Sequence, residues 1–157
     1  MASSLQEQQL KNKQVVRQFF EAFDRHDVES MEQFVSPANY SLHFSGMPTM
    51  DWTGHKQLIS TITSAFPDIH HDIEDVIAEG PDKVAIRMNV TGTHKGEFLG
   101  VPQSGKKGSI SSMDFFTLID GKFVEHWVNA DMMGLMQLIG AIPAPPSSAG
   151  SGDVARS

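Results

Sequence analysis

The first third of the chain carries apolar residues at the spacing of an amphipathic helix. Between about residues 5 and 25 these residues form a largely aromatic stripe: Val15, Val16, Phe19, Phe20 and Phe23. The spacing predicts one long helix whose stripe packs on a core, and it also makes Phe20 or Phe23 available as a pocket wall. Asp27 is placed to cap a second, short helix that ends before Pro37.

After residue 38 the apolar positions mostly recur at every second residue, as in strands, apart from one more helical stretch. Residues 39–44 alternate weakly and predict a strand with Tyr40 and Phe44 on one side and His43 on the other. A loop rich in large apolar residues follows, and a helix is expected from about residue 54 to 66, with Leu58, Ile59 and Ile62 as its buried stripe. Strands are predicted at 69–79, 83–94, 109–119 and 122–130.

Asp120-Gly121 joins the last two strands, and this dipeptide strongly favours a two-residue hairpin turn. Alternation then assigns the side chains to two faces. One face is predicted to carry Ser112, Asp114, Phe116, Leu118, Val124, His126 and Val128. The other is predicted to carry Met113, Phe115, Thr117, Ile119, Phe123, Glu125, Trp127 and Asn129. The first face combines Asp114 and His126 with apolar neighbours, which makes it the place to look for chemistry.

Helices that lead and strands that follow predict an α+β domain in which a curved antiparallel sheet wraps the N-terminal helices. Such a sheet encloses a cone-shaped pocket, and apolar pockets with a few inward polar groups are the usual ligand sites. Asp131 is placed to cap a terminal apolar helix. We expect one domain over residues 1–142, followed by a disordered tail over residues 143–157, which is built from Pro, Ser, Ala and Gly.

Composition and charge limit the classes of binding partner and of chemistry that the chain can have. The 157-residue chain has a net charge of −7 and no cluster of basic residues, which argues against nucleic acid or membrane as the main partner. It contains no cysteine, so disulfides, thiolate metal sites and cysteine nucleophiles are excluded together. No apolar run is long enough to span a membrane and the N-terminus lacks a signal-peptide core, so we expect a cytoplasmic protein.

His70-His71 is the one pair of adjacent histidines, and it raises the question of a metal. Neighbouring residues of a strand point to opposite faces, and no third ligand stands at close spacing. The sequence therefore predicts no metal site, and it gives no motif for a cofactor.

The stretch from residue 92 to 140 resembles the signature region of the SnoaL-like polyketide cyclase family. The matching features are Gly92-Thr93-His94, Gly96, Gly100-Val101-Pro102, Gly105-Lys106, Asp120-Gly121-Lys122, Glu125-His126-Trp127, Asp131 and Leu138 to Gly140. The opening helix and Phe66-Pro67-Asp68 also fit, so the likeness extends over about residues 10–142. It implies the nuclear-transport-factor-2-like cone fold, a cystatin-like α+β roll shared with ketosteroid isomerase, scytalone dehydratase and limonene epoxide hydrolase.

The resemblance implies intramolecular aldol cyclisation without metal or cofactor. This reaction needs a base for a proton next to a carbonyl and a group that stabilises the resulting oxyanion. The catalytic aspartate of the family stands two residues beyond the strand histidine, and that position here is Val128. Valine cannot transfer a proton, so the family's catalytic residue does not carry over.

His126 and Asp114 remain as the candidate acid/base pair, with the alternative that they form a structural hydrogen bond between two buried polar groups. His94 is a candidate oxyanion donor, or else it fixes the following loop. The residues expected to line the pocket are Phe23, His43, Trp52, Ser112, Phe116, Val128 and Asp131, although helix capping alone would explain Asp131.

Three functions remain open at this point. The first is a cofactor-independent cyclase or isomerase that acts on a small hydrophobic carbonyl compound. The second is an epoxide hydrolase or dehydratase on the same fold, and the third is a non-catalytic module for ligand binding or dimerisation. The apolar band of Met113, Phe115 and Trp127 additionally predicts a homodimer through the sheet, because monomers seldom expose such a band.

Overall fold

The structure is a computed structural model that describes residues 2–146. Its helices are α1 (Ala2–Asp24), α2 (Val28–Glu32), α3 (Trp52–Ala65) and α4 (Met132–Leu138), with a short 3-10 turn at Pro37–Asn39. Its strands are β1 (Ser41–Phe44), β2 (His70–Glu79), β3 (Lys83–Thr93), β4 (Lys107–Ile119) and β5 (Lys122–Ala130). The element order is the predicted one, and from residue 147 onward the predicted tail lies outside the described residues.

The five strands form one curved, unclosed sheet in the order β1-β5-β4-β3-β2. Strands β2 to β5 form an antiparallel meander, and β1 joins β5 in parallel at the far edge. This α+β fold with its N-terminal helix confirms the predicted fold class. None of the described helices is long and apolar enough to cross a membrane.

The caps and turns follow from local sequence. Asp27 and Asp131 accept hydrogen bonds from the backbone N–H groups of Ser30 and Gly134, as the helix-cap interpretation predicts. Asp120 and Gly121 both adopt positive φ, at 52° and 73°, which is the conformation of the tight hairpin turn that the dipeptide favours.

One face assignment is wrong. Phe123 was expected beside Trp127 on the outer face, but its ring is fully buried in the core. The β4–β5 register shifts between Thr117 and Leu118, so Thr117 pairs with Glu125 while Leu118 pairs with Phe123. This irregularity inserts Val124 as an extra residue and reverses the alternation before it.

Two helices and the concave face of the sheet build the core. The aromatic stripe of α1 is buried as predicted, with Phe19 and Phe20 packed edge to face at 5.4 Å between ring centroids. The helix α3 begins two residues earlier than predicted, at Trp52, because Asp51 caps it by accepting from the N–H of Gly54. Its early start places Trp52 and His55 on the buried side.

Candidate functional site

A cavity of about 130 Å³ lies between the concave face of the sheet and helices α1, α3 and α4. Most of its lining is aliphatic or aromatic. The polar side chains on the wall are His55, His71, Thr91, Ser109, Ser112, Asp114 and His126. This combination of apolar walls and a few convergent polar groups is typical of a site for a small hydrophobic molecule.

Asp114 on β4 and His126 on β5 are diagonal neighbours in the sheet, and both line this cavity. The Nε2 atom of His126 lies 2.7 Å from Oδ2 of Asp114, while the hydroxyl of Ser112 donates to Oδ1 of the same carboxylate at 2.7 Å. Both members of the pair are almost fully buried. The ring of His126 also stacks on Phe116, with 4.2 Å between centroids. The packing and the carboxylate together hold the imidazole in one orientation.

The pair is one end of a longer hydrogen-bonded chain. The Tyr40 hydroxyl lies 3.3 Å from Nδ1 of His126 and 2.8 Å from Nδ1 of His55. Tyr40 precedes β1, whose parallel pairing with β5 puts Leu42 opposite His126, so the phenol is delivered beside the imidazole. The chain therefore runs Asp114, His126, Tyr40, His55 and crosses from the sheet to helix α3.

Burial keeps the two ends of the Tyr40–His55 hydrogen bond uncharged. The pKa of His55 is well below its ordinary value of 6.5, first because the ring is buried and second because His126 is near. The pKa of Tyr40 is well above 10.0, because of burial and then because of the Asp114 charge. Near neutral pH this chain thus contains a neutral phenol and a neutral imidazole.

These groups accommodate their protons in two complete arrangements. In one, His55 donates through Nδ1 to Tyr40, and Tyr40 donates to His126. In the other, His126 carries protons on both nitrogens and donates to Tyr40, which donates to Nδ1 of His55. The second arrangement leaves the proton of His55 on Nε2, for which no partner is found among the described residues, and His55 lines the cavity. The second arrangement holds one proton more than the first. It becomes the first when His55 gives its Nε2 proton to a bound molecule while a proton moves from Tyr40 to His55 and another from His126 to Tyr40.

A second carboxylate–imidazole pair lies on the same cavity. Asp24 is the last residue of helix α1, and its carboxylate accepts two hydrogen bonds from His71. One comes from the backbone N–H at 3.1 Å and the other from the ring Nδ1 at 2.6 Å. The His71 ring packs between Phe20 and Phe23, at 4.9 Å and 4.6 Å between centroids. His70 also contacts Asp24, at 2.9 Å, but its side chain is 62% exposed and is not part of the cavity wall.

The structure places some of the sequence-predicted residues on the cavity wall and others away from it. Phe23, Ser112 and Val128 line the cavity together with Asp114 and His126. Phe116 is fully buried behind the wall, where it supports the ring of His126.

The remaining predicted residues have other contacts. His94 is buried outside the wall, where its Nδ1 accepts from the Ser104 backbone at 3.1 Å and fixes the loop after β3. His43 stacks on Trp127 at 3.8 Å on the outer side of the sheet. Trp52 packs edge-on against Tyr40 and His55, and Asp131 caps α4. None of these four side chains is part of the cavity wall.

The sequence analysis missed Tyr40, His55 and His71 as functional candidates. A signal for His55 was present, because it precedes Ile59 and Ile62 by four and seven residues on the buried stripe of α3. His71 shares the inward face of β2 with Ile73, but the doublet with His70 suggested only a metal. Tyr40 carried no signal beyond its strand face. Among residues 2–146, no group of three or more His, Cys, Asp or Glu side chains is arranged to hold a metal ion.

Comparison with known proteins identifies the family of this chain. The family model described as SnoaL-like polyketide cyclase matches residues 13–139. No curated protein sequence matches the chain significantly.

Solved structures with the same fold include AclR of Streptomyces galilaeus, described as a candidate hydroxylase. It is 29% identical, has a TM-score of 0.80, and the match covers 88% of this chain and 87% of that one. IdmH of Streptomyces antibioticus, described as a candidate polyketide cyclase, is 26% identical with a TM-score of 0.73, and the match covers 82% and 98%. A SnoaL-like protein of Jannaschia is 24% identical with a TM-score of 0.78 over 86% and 95%, which shows the fold alone.

Proposed function

The chain belongs to the SnoaL-like polyketide cyclase family, and from this premise we propose that it is a cofactor-independent acid/base enzyme. Its substrate is a small hydrophobic carbonyl compound held in the cavity, and its reaction is proton abstraction that leads to aldol cyclisation or isomerisation. One observation supports this proposal above all others: a buried carboxylate–imidazole–phenol–imidazole chain ends on the wall of an apolar cavity.

The register of the sheet supports an acid/base role for this site without an aspartate at position 128. Asp114 is the direct partner of Val128 in the β4–β5 ladder. Directly paired residues on one face of a sheet have their Cβ atoms about 4.5–5.5 Å apart. The carboxylate therefore occupies nearly the place that an aspartate at 128 would occupy, but it is supplied by the neighbouring strand. On this basis the acid/base machinery has been moved and not lost.

The hydrogen-bonded chain of Asp114, His126, Tyr40 and His55 acts as the acid of the reaction. When a carbonyl oxygen of the substrate gains negative charge, Nε2 of His55 donates its proton to that oxygen. Tyr40 then passes its proton to Nδ1 of His55, and His126 passes its Nδ1 proton to Tyr40. His126 becomes neutral and keeps its Nε2–H bond to Asp114. Because the two transfers inside the protein follow hydrogen bonds of 3.3 Å and 2.8 Å, neither of them needs a water in the cavity.

Deuterium exchange tests this proposal with 2-tetralone, a bicyclic ketone with acidic protons beside its carbonyl. The ketone is bound to the protein in D2O and deuterium uptake is followed by mass spectrometry, after subtraction of the uptake in buffer. We expect saturable exchange that falls about 100-fold in Asp114→Asn, the usual size of one acid/base contribution. The matched control is His43→Gln on the outer face, which should exchange like the wild type.

Binding without exchange would contradict catalysis and support a second candidate, a module that only binds a hydrophobic ligand. One observation favours that candidate, because both ring nitrogens of His126 are engaged within the protein. The family resemblance adds a second reason, since it implies an aspartate where this chain has Val128. Failure of 2-tetralone to bind would contradict the assigned substrate class.

We also propose that the protein is a homodimer formed through the outer face of the sheet. The outer band consists of Met113, Phe115 and Trp127, whose side chains are 60%, 45% and 45% exposed. Phe115 and Trp127 are direct partners across β4 and β5, so their rings form one continuous apolar surface. A second copy of this same surface is its simplest complement, because a two-fold interface pairs a patch with itself.

A further inference from the structure

The proposed reaction needs a base to take the proton from carbon, and the Asp114 chain does not provide one while it serves as the acid. We propose that His71 is this base and that Asp24 positions it. This inference rests on the proposed function and adds a catalytic residue to it.

The hydrogen bonds of His71 fix which of its nitrogens is basic. Its Nδ1 lies 2.6 Å from Asp24, and a carboxylate can only accept, so the ring proton lies on Nδ1. The lone pair of the ring is then on Nε2, which makes no hydrogen bond within residues 2–146. His71 lines the cavity, so this lone pair is the one available to a bound molecule.

The surroundings hold the ring still. Phe20 and Phe23 pack against it from helix α1, and its side chain is only 6% exposed. Asp24 is 18% exposed and lies at the C-terminal end of α1, where the helix dipole disfavours a carboxylate. Two N–H groups of His71, one from the backbone and one from the ring, offset that cost. The imidazolium formed by proton uptake is thus stabilised by a carboxylate already in place.

The two imidazoles then divide the reaction between them. The C–H bond beside the carbonyl breaks, its proton goes to Nε2 of His71, and its electron pair forms the enolate. His55 donates its Nε2 proton to the enolate oxygen, which gives the neutral enol. In a cyclisation the enol carbon bonds to a second carbonyl carbon, whose oxygen takes the proton from His71. The enol hydroxyl returns its proton to His55, and both histidines regain their starting states.

The same deuterium-exchange assay tests this inference with a matched pair of variants. We expect His71→Gln to lower exchange of 2-tetralone about 100-fold, as removal of a general base usually does. The control is His70→Gln, which removes the adjacent histidine and its contact with the same carboxylate but leaves the cavity wall intact. It should exchange at the wild-type rate. If His71→Gln exchanges at the wild-type rate, the inference is overturned and the proposed function still stands.

A second measurement does not depend on activity or on the stability of the His71→Gln variant. Nitrogen-15 NMR of the histidine rings should show the His71 proton on Nδ1 and an unprotonated Nε2 in the wild-type protein. Asp24→Asn keeps an oxygen for the backbone N–H of His71 but also presents an amide donor, so the proton should move to Nε2. A wild-type ring protonated only on Nε2 would overturn the inference even if exchange occurs.

Discussion

At position 128 the family resemblance implies a catalytic aspartate, the chain has a valine, and we propose that Asp114 supplies the carboxylate instead. Val128 lines the cavity, and its partner across the ladder, Asp114, holds the carboxylate that bonds His126. A carboxylate in this place needs its hydrogen bonds, because an unpaired buried charge costs several kcal/mol. Ser112 and His126 satisfy both of its oxygens.

Exchanging the two residues tests this interpretation. Asp114→Val alone should abolish exchange and leave His126 without its carboxylate. Adding Val128→Asp should recover part of the exchange rate, because the second strand then supplies the charge from the paired position. The deuterium-uptake assay measures both variants. A double variant as inactive as the single one, with a folded circular dichroism spectrum, would contradict the idea that the carboxylate was relocated.

The depressed pKa of His55 predicts how stability depends on pH. The unfolded chain binds a proton at this histidine below about pH 6.5, whereas the folded chain does not until a much lower pH. Stability should therefore be fully present above pH 6.5 and fall as the pH drops below it, by up to about 1.4 kcal/mol per pH unit from this group. His55→Asn should flatten that slope while still offering Tyr40 a hydrogen-bond partner.

Urea denaturation between pH 5 and 7 measures the slope. The control is His26→Asn, at an exposed histidine whose positive φ of 60° asparagine tolerates. The same slope in wild type and His55→Asn would contradict the assignment of a buried, neutral His55.

At the residue scale the sequence identified only part of the site. Asp114 and His126 could be predicted because alternation on one hairpin placed a carboxylate and an imidazole on one face. His55 and His71 could not be assigned in the same way, because they reach the cavity from α3 and β2. Their meeting with β4 and β5 depends on how helices and sheet pack, and no local pattern encodes that packing.

The elements themselves were largely predictable, because each one is marked by its own periodicity and its own cap or turn. Phe123 is the instructive exception. A period of two assumes an unbroken ladder, and the irregularity at Val124 reverses it for the residues nearest the turn. The reversal buries Phe123 against Phe116, at 4.7 Å between centroids, behind the ring that holds His126. The error was therefore one of register and not of element type.

The terminal helix contributes to the cavity despite its short length. α4 has seven residues, and three of them, Met132, Leu135 and Leu138, line the cavity. Its first turn depends on Asp131, which accepts from the N–H of Gly134 at 2.9 Å. Gly108 gives it room, because a Cβ there would lie 2.7 Å from Leu138 side-chain atoms.

Asp131→Ala should accordingly destabilise the fold by about 1 kcal/mol, the usual cost of a lost N-cap. It should also weaken binding in the cavity of 2-naphthol, the aromatic counterpart of the enol of 2-tetralone. Asp131→Asn retains a capping oxygen and should behave like the wild type. Urea titration and calorimetry measure the two effects. Equal stability of the alanine and asparagine variants would show that the cap does not support this wall.

At the scale of the whole molecule, the outer band predicts self-association. Sedimentation velocity at micromolar concentration should give twice the 17.3 kDa mass of the chain. Phe115→Glu should yield a folded monomer. The fold should tolerate the change because the ring is half exposed, and the dimer should not form because its two-fold interface would hold two unpaired glutamates. The control is Leu10→Glu, at an exposed leucine of helix α1, and it should remain dimeric. A wild-type protein that sediments as a monomer would contradict the proposed interface.

The central claim is that the cavity holds a carbonyl compound between two imidazoles that exchange its protons. The most direct measurement is a crystal structure with 2-naphthol, the aromatic counterpart of the enol of 2-tetralone. We predict that the naphthol lies in the cavity with its hydroxyl within hydrogen-bond distance of Nε2 of His55. The carbon next to the hydroxyl-bearing carbon should face Nε2 of His71. A naphthol that contacts neither nitrogen, or that binds only on the outer face of the sheet, would contradict the account.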